Sequence, residues 1–276
     1  MTNEPQATAP LVLIIAGFDP SGGAGIIADL RTIEAFDCTA VAAITSITFQ
    51  NANVYSGALH QSAAALRAQV AATLHQQEIL AVKIGMLPTR EIVREVAVLI
   101  REFDLPAPVI DPVIESTSGG KLMADDAFEA FVTELMPLAR VVTPNIPEAE
   151  KLAGLNILDE NSMRQAAARI RELGARAVLI KGGHRYRAAS SSERVKTATQ
   201  DTALSRVAND LLDDHGQVAI VHGEWIDAPN VRGTGCMLSS AIACGLAKGH
   251  ELEQAIQDAK QFVAQAIQNS KFTIQG

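Results

Sequence analysis

Short apolar runs alternate with helical patterns along most of this 276-residue sequence, and no other feature limits its fold as strongly. The apolar runs have the length of buried strands and cover residues 10–16, 81–86, 107–113, 140–143 and 177–181. The helical patterns follow them along the chain and cover residues 24–36, 62–77, 90–103, 124–138, 162–173 and 233–248. Strands and helices that alternate at this spacing predict an α/β fold, in which a mostly parallel central sheet carries helices on both faces.

Two segments depart from this alternation. Residues 209–213 and 217–226 flank the turn Asp214-His215-Gly216, which predicts an antiparallel hairpin near one edge of the sheet. Residues 184–206 are polar and too long for an ordinary connection, so they are either a flap or a surface insertion. With no repeat or linker to divide it, the chain is predicted to be a single domain over residues 1–276, of which 1–10 are flexible.

The charge and cysteine content exclude several classes of protein. The sequence has 23 basic and 31 acidic residues, a net charge of −8, which argues against nucleic acid as the main partner and against a basic membrane-binding segment. No apolar run approaches the roughly 20 residues of a membrane helix, and the first residues lack a signal-peptide pattern. The 3 cysteines have no pattern of spacing, so we expect a reducing cytoplasm and neither a disulfide framework nor a zinc site.

The first glycine-rich turn, at residues 16–25, lies between a predicted strand and a predicted helix. Gly23, Gly25 and Ala28 satisfy a loose dinucleotide-binding fingerprint, so a nicotinamide oxidoreductase has to be considered. That class also needs an acidic residue at the end of the next strand, where the ribose binds. Residues 40–51 contain none, which counts against it. The sequence also lacks the P-loop motif.

The second glycine-rich turn contains Gly233 and Gly235 and opens the last predicted helix. Two glycines let the backbone approach a ligand closely, and the free N–H groups of a helix N-terminus suit an anion. Glycines can equally serve only to permit a tight turn. The neighbouring Arg232 favours anion binding.

Polar side chains also follow several predicted strands, at the end of the sheet where α/β proteins bind their ligands. Any one of them could be a helix cap or a surface charge, but several at the same end of successive strands indicate a site. They are Lys83 with Met86, Asp111, Asn145 with Glu148, and residues 181–184.

Together these segments resemble the hydroxymethylpyrimidine/phosphomethylpyrimidine kinases of thiamine biosynthesis, a branch of the ribokinase superfamily. The resemblance extends over about residues 11–267. Cys236 stands where sugar kinases of the superfamily carry aspartate, which points to the pyrimidine branch. Phe18, Glu115 and Arg232 depart from the family pattern. The motifs that carry the resemblance keep the family's order and lie at residues 16–25, 50–51, 83–86, 111–113 with 118–119, 142–148, 181–184 and 233–236.

The resemblance implies a ribokinase-like three-layer α/β/α fold and two successive phosphoryl transfers from ATP, first to a hydroxymethyl group and then to its monophosphate. Gly233, Thr234, Gly235 and Cys236 would form an anion hole for the moving phosphoryl group. Cys236 is expected to have a lowered pKa at the helix start and to act as a base. The groups expected to contact ATP are Lys181, Asn145 and Arg232, and those expected to hold Mg²⁺ are Glu148 and Asp111.

The substrate is expected to be recognised by its ring. An aminopyrimidine has a donor beside an acceptor, and the side-chain amide of Gln50 offers the complementary pair. Asp29 is a second expected polar partner, while Gly17, Met86 and Val113 would line the ring by resemblance. The resemblance also implies a homodimer. A pyridoxine or pyridoxal kinase, and a catalytically inactive pyrimidine-binding protein of the same fold, remain as alternatives.

Overall fold

The computed structural model describes residues 8–51, 54–74, 78–115, 120–182, 209–223, 226 and 232–269. The predicted flap or insertion at 184–206 lies outside this part of the chain, as do residues 1–7 of the predicted flexible start. Residues 118–119 and 183–184 of the family motifs also lie outside it. Within the described residues, no helix combines the length and apolar character needed to cross a membrane.

The described strands form one nine-stranded sheet in the order β3-β2-β1-β4-β5-β6-β7-β8-β9. Strands β1, β2, β4, β5, β6 and β7 run parallel, whereas β3, β8 and β9 each pair antiparallel to a neighbour. The predicted mostly parallel sheet is therefore confirmed. The strands are Leu11–Phe18, Thr39–Gln50, Tyr55–His60, Ile79–Ile84, Val109–Ile110, Val141–Val142, Ala177–Ile180, Asp210–Asp214 and Gln217–Val221.

Helices cover both faces of the sheet because its central strands are apolar on both sides. In β1, Leu13 and Ile15 belong to one core while Val12 and Ile14 belong to the other, and all four are completely buried. Helices α2 to α6 pack on the first face and α1, α7 and α8 on the second. The helices α1 to α8 are Gly25–Ala35, Ala63–Thr73, Arg90–Glu102, Asp125–Ala130, Ile146–Ala153, Glu160–Glu172, Thr234–Ala247 and Leu252–Asn269.

The strand order changes direction at β1, and this change positions the ligand-binding end of the sheet. The chain first adds β2 on one side of β1 and later adds β4 on the other side. Helices that leave β1 and β4 therefore diverge, and a crevice opens beyond the carboxyl ends of these strands. The first glycine-rich turn and the residues after Ile84 both lie at this crevice.

Most of the predicted elements are present, with differences at their ends. The hairpin is confirmed as β8 and β9, but β9 ends at Val221, because Val221 pairs with Asp210, the first residue of β8. The helix predicted over 124–138 is α-helical only as far as Ala130 and continues as π-helix over Phe131–Leu135 and as 3₁₀-helix over Met136–Leu138. The patterns did not predict β3, α5 or α8.

Candidate active site

A cavity of about 70 Å³ lies in the crevice beyond the carboxyl ends of β1, β2 and β4. Four of the five residues predicted to bind the pyrimidine line it, and Cys236 from the predicted anion hole lines it too. Thr45 supports one wall, because its hydroxyl donates a 2.6 Å hydrogen bond to the carbonyl of Met86. The lining residues are Ala16, Gly17, Ala24, Gly25, Thr48, Gln50, Lys83, Gly85, Met86, Val113, Leu122 and Cys236.

Asp29, the fifth predicted substrate residue, does not line this cavity. Its side chain is completely buried in α1, and its two oxygens accept hydrogen bonds of 2.8 and 2.9 Å from the ammonium of Lys83. The hydroxyl of Ser240 in α7 donates a third, at 2.8 Å. Asp29 thus forms a buried ion pair with Lys83, of which the sequence pattern gave no sign, and its contact with a substrate stays a prediction.

Lys83 connects this ion pair to the cavity. It lies in β4, is fully buried, and contributes to the cavity lining beside Cys236. Burial is the largest single influence and opposes the charge of its ammonium, but the surrounding negative groups, of which Asp29 is the strongest, together outweigh burial and raise the pKa of Lys83. The floor of the cavity therefore carries a fixed ammonium whose charge is balanced by Asp29.

The second glycine-rich turn forms the start of α7 as predicted. Gly233 is in the left-handed conformation, with φ of 77°, and a side chain there would collide with the carbonyl oxygen of Gly23 in the first turn. A Cβ atom on Gly235 would lie 3.1 Å from the Nζ of Lys181. In the described part of the chain, no side-chain cap hydrogen bond is formed at Gly233, the N-cap of this helix, so the first-turn N–H groups lack a capping side chain there.

Lys181 and Asp111 form a second ion pair, next to Gly235. The Nζ of Lys181 lies 2.8 Å from the Oδ1 of Asp111. Burial disfavours the ammonium, but Asp111 and Glu148 outweigh burial and raise the pKa of Lys181. The start of α7 and this ammonium together form a positively polarised surface suited to a phosphoryl group.

Asn145 and Glu148 form a capping box at the start of α5. The Asn145 side chain accepts a 2.9 Å hydrogen bond from the N–H of Glu148, and Glu148 accepts one of 2.9 Å from the N–H of Asn145. The amide oxygen of Asn145, predicted to face ATP, is thus used in the cap. The missed helix α5 had a sequence signal, since asparagine followed three residues later by glutamate is typical of a helix start.

The carboxylates of Glu148 and Asp111 lie on the same side of the site as Lys181. Burial raises the pKa of Glu148 to about 7, Lys181 opposes this shift, and Asp111 adds to it. Among the described residues, no group of three or more His, Cys, Asp or Glu could hold a metal ion. Two carboxylates are nevertheless a donor set that fits Mg²⁺, because this ion keeps several waters and shares its ligands with phosphate oxygens.

The expected low pKa of Cys236 is wrong. Burial raises the pKa of its thiol to about 11; the ammonium of Lys83 opposes this shift, while the carboxylates of Asp29 and Asp111 add to it. Desolvation is the largest cause of this shift, whereas the expectation rested on the helix N-terminus alone. At neutral pH the thiol is protonated, so Cys236 enters the site as a neutral hydrogen-bonding group.

Arg232, predicted to contact ATP phosphates, instead reaches the first glycine-rich turn and the end of β2. Its Nη1 donates a 2.6 Å hydrogen bond to the carbonyl of Asn51, and its Nη2 lies 3.8 Å from the Oδ2 of Asp19. The structure thus brings Gly17, Gln50, Cys236 and Lys181 to one crevice, and it places Arg232 against Asn51 and Asp19.

Replacement of Lys83 by methionine tests the buried ion pair. Lys83→Met leaves the Asp29 carboxylate buried without its cation, so we expect the free energy of unfolding to fall by about 3–5 kcal/mol. Adding Asp29→Asn should recover part of this loss. Urea denaturation monitored by circular dichroism measures both.

Lys121→Met is the matched control for this comparison. Lys121 forms an exposed pair with Asp125, so its loss should cost less than about 1 kcal/mol. If Lys83→Met were no more destabilising than Lys121→Met, the buried pair would have no structural role.

Three comparisons with known proteins bear on this site. A model of the phosphomethylpyrimidine kinase family matches residues 19–276. A hydroxymethylpyrimidine/phosphomethylpyrimidine kinase of Streptomyces coelicolor is 40% identical over 263 residues, which are 95% of this chain and 90% of that protein. A crystal structure of a phosphomethylpyrimidine kinase from Clostridium difficile is 33% identical, with a TM-score of 0.76, and the match covers 93% of this chain and 99% of that one. An ADP complex of Bacillus subtilis pyridoxal kinase is 34% identical, with a TM-score of 0.79, and covers 94% and 92%.

Proposed function

Because the chain belongs to the phosphomethylpyrimidine kinase family, we propose that it phosphorylates 4-amino-5-hydroxymethyl-2-methylpyrimidine with ATP in thiamine biosynthesis, first to the monophosphate and then to the diphosphate. One observation carries this proposal. A single cavity has Gln50, a side-chain amide, on one wall and Cys236, at the start of α7, on another. An aminopyrimidine held by the amide would direct its hydroxymethyl group toward the helix start.

Recognition of the ring rests on Gln50 and on apolar contacts. The amide of Gln50 donates to a ring nitrogen and accepts from the exocyclic amine, which a ring without this pair cannot satisfy. Gly17, Met86 and Val113 enclose the flat faces of the ring. Among the described lining residues, Lys83 carries a full charge, and its ammonium suits the oxygen of the hydroxymethyl group or of its phosphate.

Phosphoryl transfer in this site depends on positioning and on charge. The acceptor oxygen bonds to the γ-phosphorus as the bond from that phosphorus to the ADP oxygen breaks, and the negative charge spreads over the three outer oxygens. In the first transfer, the proton of the acceptor hydroxyl passes to an oxygen of the transferred phosphoryl group. The N–H groups at Gly233, Thr234, Gly235 and Cys236, with the ammonium of Lys181, stabilise this charge. The protonated thiol of Cys236 orients the acceptor oxygen through a hydrogen bond.

ATP and Mg²⁺ complete the site. Lys181 and the amide nitrogen of Asn145 would contact the ATP phosphates. Asp111 and Glu148 would hold Mg²⁺, directly or through water, and the ion would neutralise charge between the β- and γ-phosphates. The ammonium of Lys181 offsets one of these two carboxylate charges and the bound ion would offset the other, which would limit repulsion of the phosphates despite the acidity of the whole chain.

The test is phosphoryl transfer from ATP with Mg²⁺ to three acceptors offered separately. They are hydroxymethylpyrimidine, its monophosphate, and pyridoxal. We expect turnover of both pyrimidines, and mass spectrometry identifies the products. Pyridoxal is included because the Bacillus subtilis pyridoxal kinase shares this fold. Turnover of pyridoxal alone would replace the proposal, and binding without any transfer would support the inactive pyrimidine-binding protein.

A second prediction concerns why a cysteine occupies position 236. Cys236→Asp would place a carboxylate where Asp29 and Asp111 already disfavour negative charge. The acceptor of the second transfer is itself a phosphate anion, so repulsion should reduce this transfer at least about tenfold more than the first. Steady-state rates with each pyrimidine measure the difference.

Cys236→Ser is the control for this prediction, because serine keeps a neutral hydrogen-bonding group. Serine should reduce both transfers by similar factors. An equal loss of both transfers in Cys236→Asp would contradict the electrostatic explanation.

The quaternary structure and location also belong to this proposal. We expect a homodimer in the cytoplasm. The exposed side chains of Phe49, Val54 and Leu59 lie at the β2–β3 edge of the sheet, where a second copy could cover them. Light scattering on the purified protein distinguishes a dimer of about 58 kDa, twice the chain mass, from a monomer of 29.2 kDa.

A further inference from the structure

Arg232 links three segments of the site that are distant in sequence. It precedes the second glycine-rich turn, contacts the first turn at Asp19, and binds the carbonyl of Asn51 at the end of β2. Asn51 directly follows Gln50, the residue proposed to read the pyrimidine ring. We propose that Arg232, Asn51 and Asp19 form an inter-turn clamp that positions Gln50 relative to the start of α7, an inference that rests on the proposed function.

The contact with Asn51 has the geometry of a strong hydrogen bond. The Nη1 of Arg232 lies 2.6 Å from the carbonyl oxygen, at the short end of the range for a charged donor. Gln50 is the last residue of β2, and the pairing of β2 with β3 is irregular between Thr48 and Gln50. Gln50 still pairs with Tyr55 of β3, and Arg232 adds a contact to the end of β2 from a segment outside the sheet.

The contact with Asp19 explains why Arg232 stays beside the first glycine-rich turn. The Oδ1 of Asp19 accepts hydrogen bonds from the N–H and the hydroxyl of Ser21. Its Oδ2 is buried and has no hydrogen-bond partner among the described residues, and the guanidinium of Arg232 lies 3.8 Å away. If Arg232 moved to an ATP phosphate, the charge of this buried carboxylate would lose its compensation.

The two glycine-rich turns are close enough for such a clamp to act. A side chain on Gly233 would collide with the carbonyl oxygen of Gly23, and a Cβ atom on Gly23 would lie 3.7 Å from the Nη1 of Arg232. The turns are thus in direct contact beneath the guanidinium. A displacement of the end of β2 would move Gln50 relative to Cys236, and with it the ring relative to the phosphoryl group.

The clamp predicts that the loss of Arg232 lowers the affinity for the pyrimidine but not the affinity for ADP. Arg232→Met should lower the affinity for hydroxymethylpyrimidine about tenfold, because a charge-assisted hydrogen bond that positions Gln50 is lost. The affinity for ADP should change by less than about twofold, because the clamp engages Arg232 with Asn51 and Asp19 rather than with the nucleotide. Isothermal titration calorimetry with each ligand measures both affinities on the intact protein without turnover.

Four further variants make the test specific. Arg232→Lys keeps one cationic donor and should recover part of the pyrimidine affinity, which a merely structural role would not require. Asp19→Asn should weaken pyrimidine binding in the same direction, and the double variant with Arg232→Met should be less than additive. Arg31→Met is the matched control, because Arg31 donates to the carbonyl of Gly22 in the same turn without reaching α7 or Asn51.

The opposite pattern of affinities would contradict the clamp. If Arg232→Met weakened ADP and left the pyrimidine unchanged, Arg232 would be a phosphate-binding residue, as the sequence suggested. Unchanged affinities for both ligands would make it a surface contact only. A wild-type protein that bound the pyrimidine without transferring phosphoryl groups would refute the proposed function and leave the clamp standing, whereas failure to bind the pyrimidine at all would refute both.

Discussion

The buried ion pair between Lys83 and Asp29 holds together the elements on which the site is built. Lys83 belongs to β4, Asp29 to α1 and Ser240 to α7, so their three hydrogen bonds join the central sheet to two helices of the same layer. Two charges without exposure to water are stable only when each compensates the other. The position of α7, and therefore of the turn that starts it, depends on this pairing as well as on apolar packing.

A second lysine and carboxylate, Lys181 and Asp111, lie on the other side of the start of α7. The crevice therefore carries two ammonium groups, each paired with an aspartate, rather than a basic surface. The same burial that makes these pairs necessary keeps the thiol of Cys236 protonated, since a third negative charge there would be desolvated and repelled.

The sequence predicted the architecture well because periodicity records which faces are buried. The parallel strands, the hairpin and most helices follow from apolar spacing alone, and the glycine-rich turns marked both walls of the crevice. Apolar periodicity did not predict the elements that leave no periodic pattern in the sequence. The short strand β3 and the π-helical turn after Ala130 depend on packing, whereas α5 had an Asn145-to-Glu148 capping signal that periodicity did not use.

Motifs and apolar periodicity are properties of the chain, so they were enough to identify the fold class, the family, and the residue types at the crevice. The contacts that several of those residues make depend on how the chain folds. Asp29 is neutralised by Lys83, 54 positions away, and Arg232 reaches Asn51, 181 positions away. The pKa of Cys236 is likewise set by burial and by charges from three other elements. Such effects depend on distance through space and on exclusion of water, and neither quantity can be read from spacing along the chain.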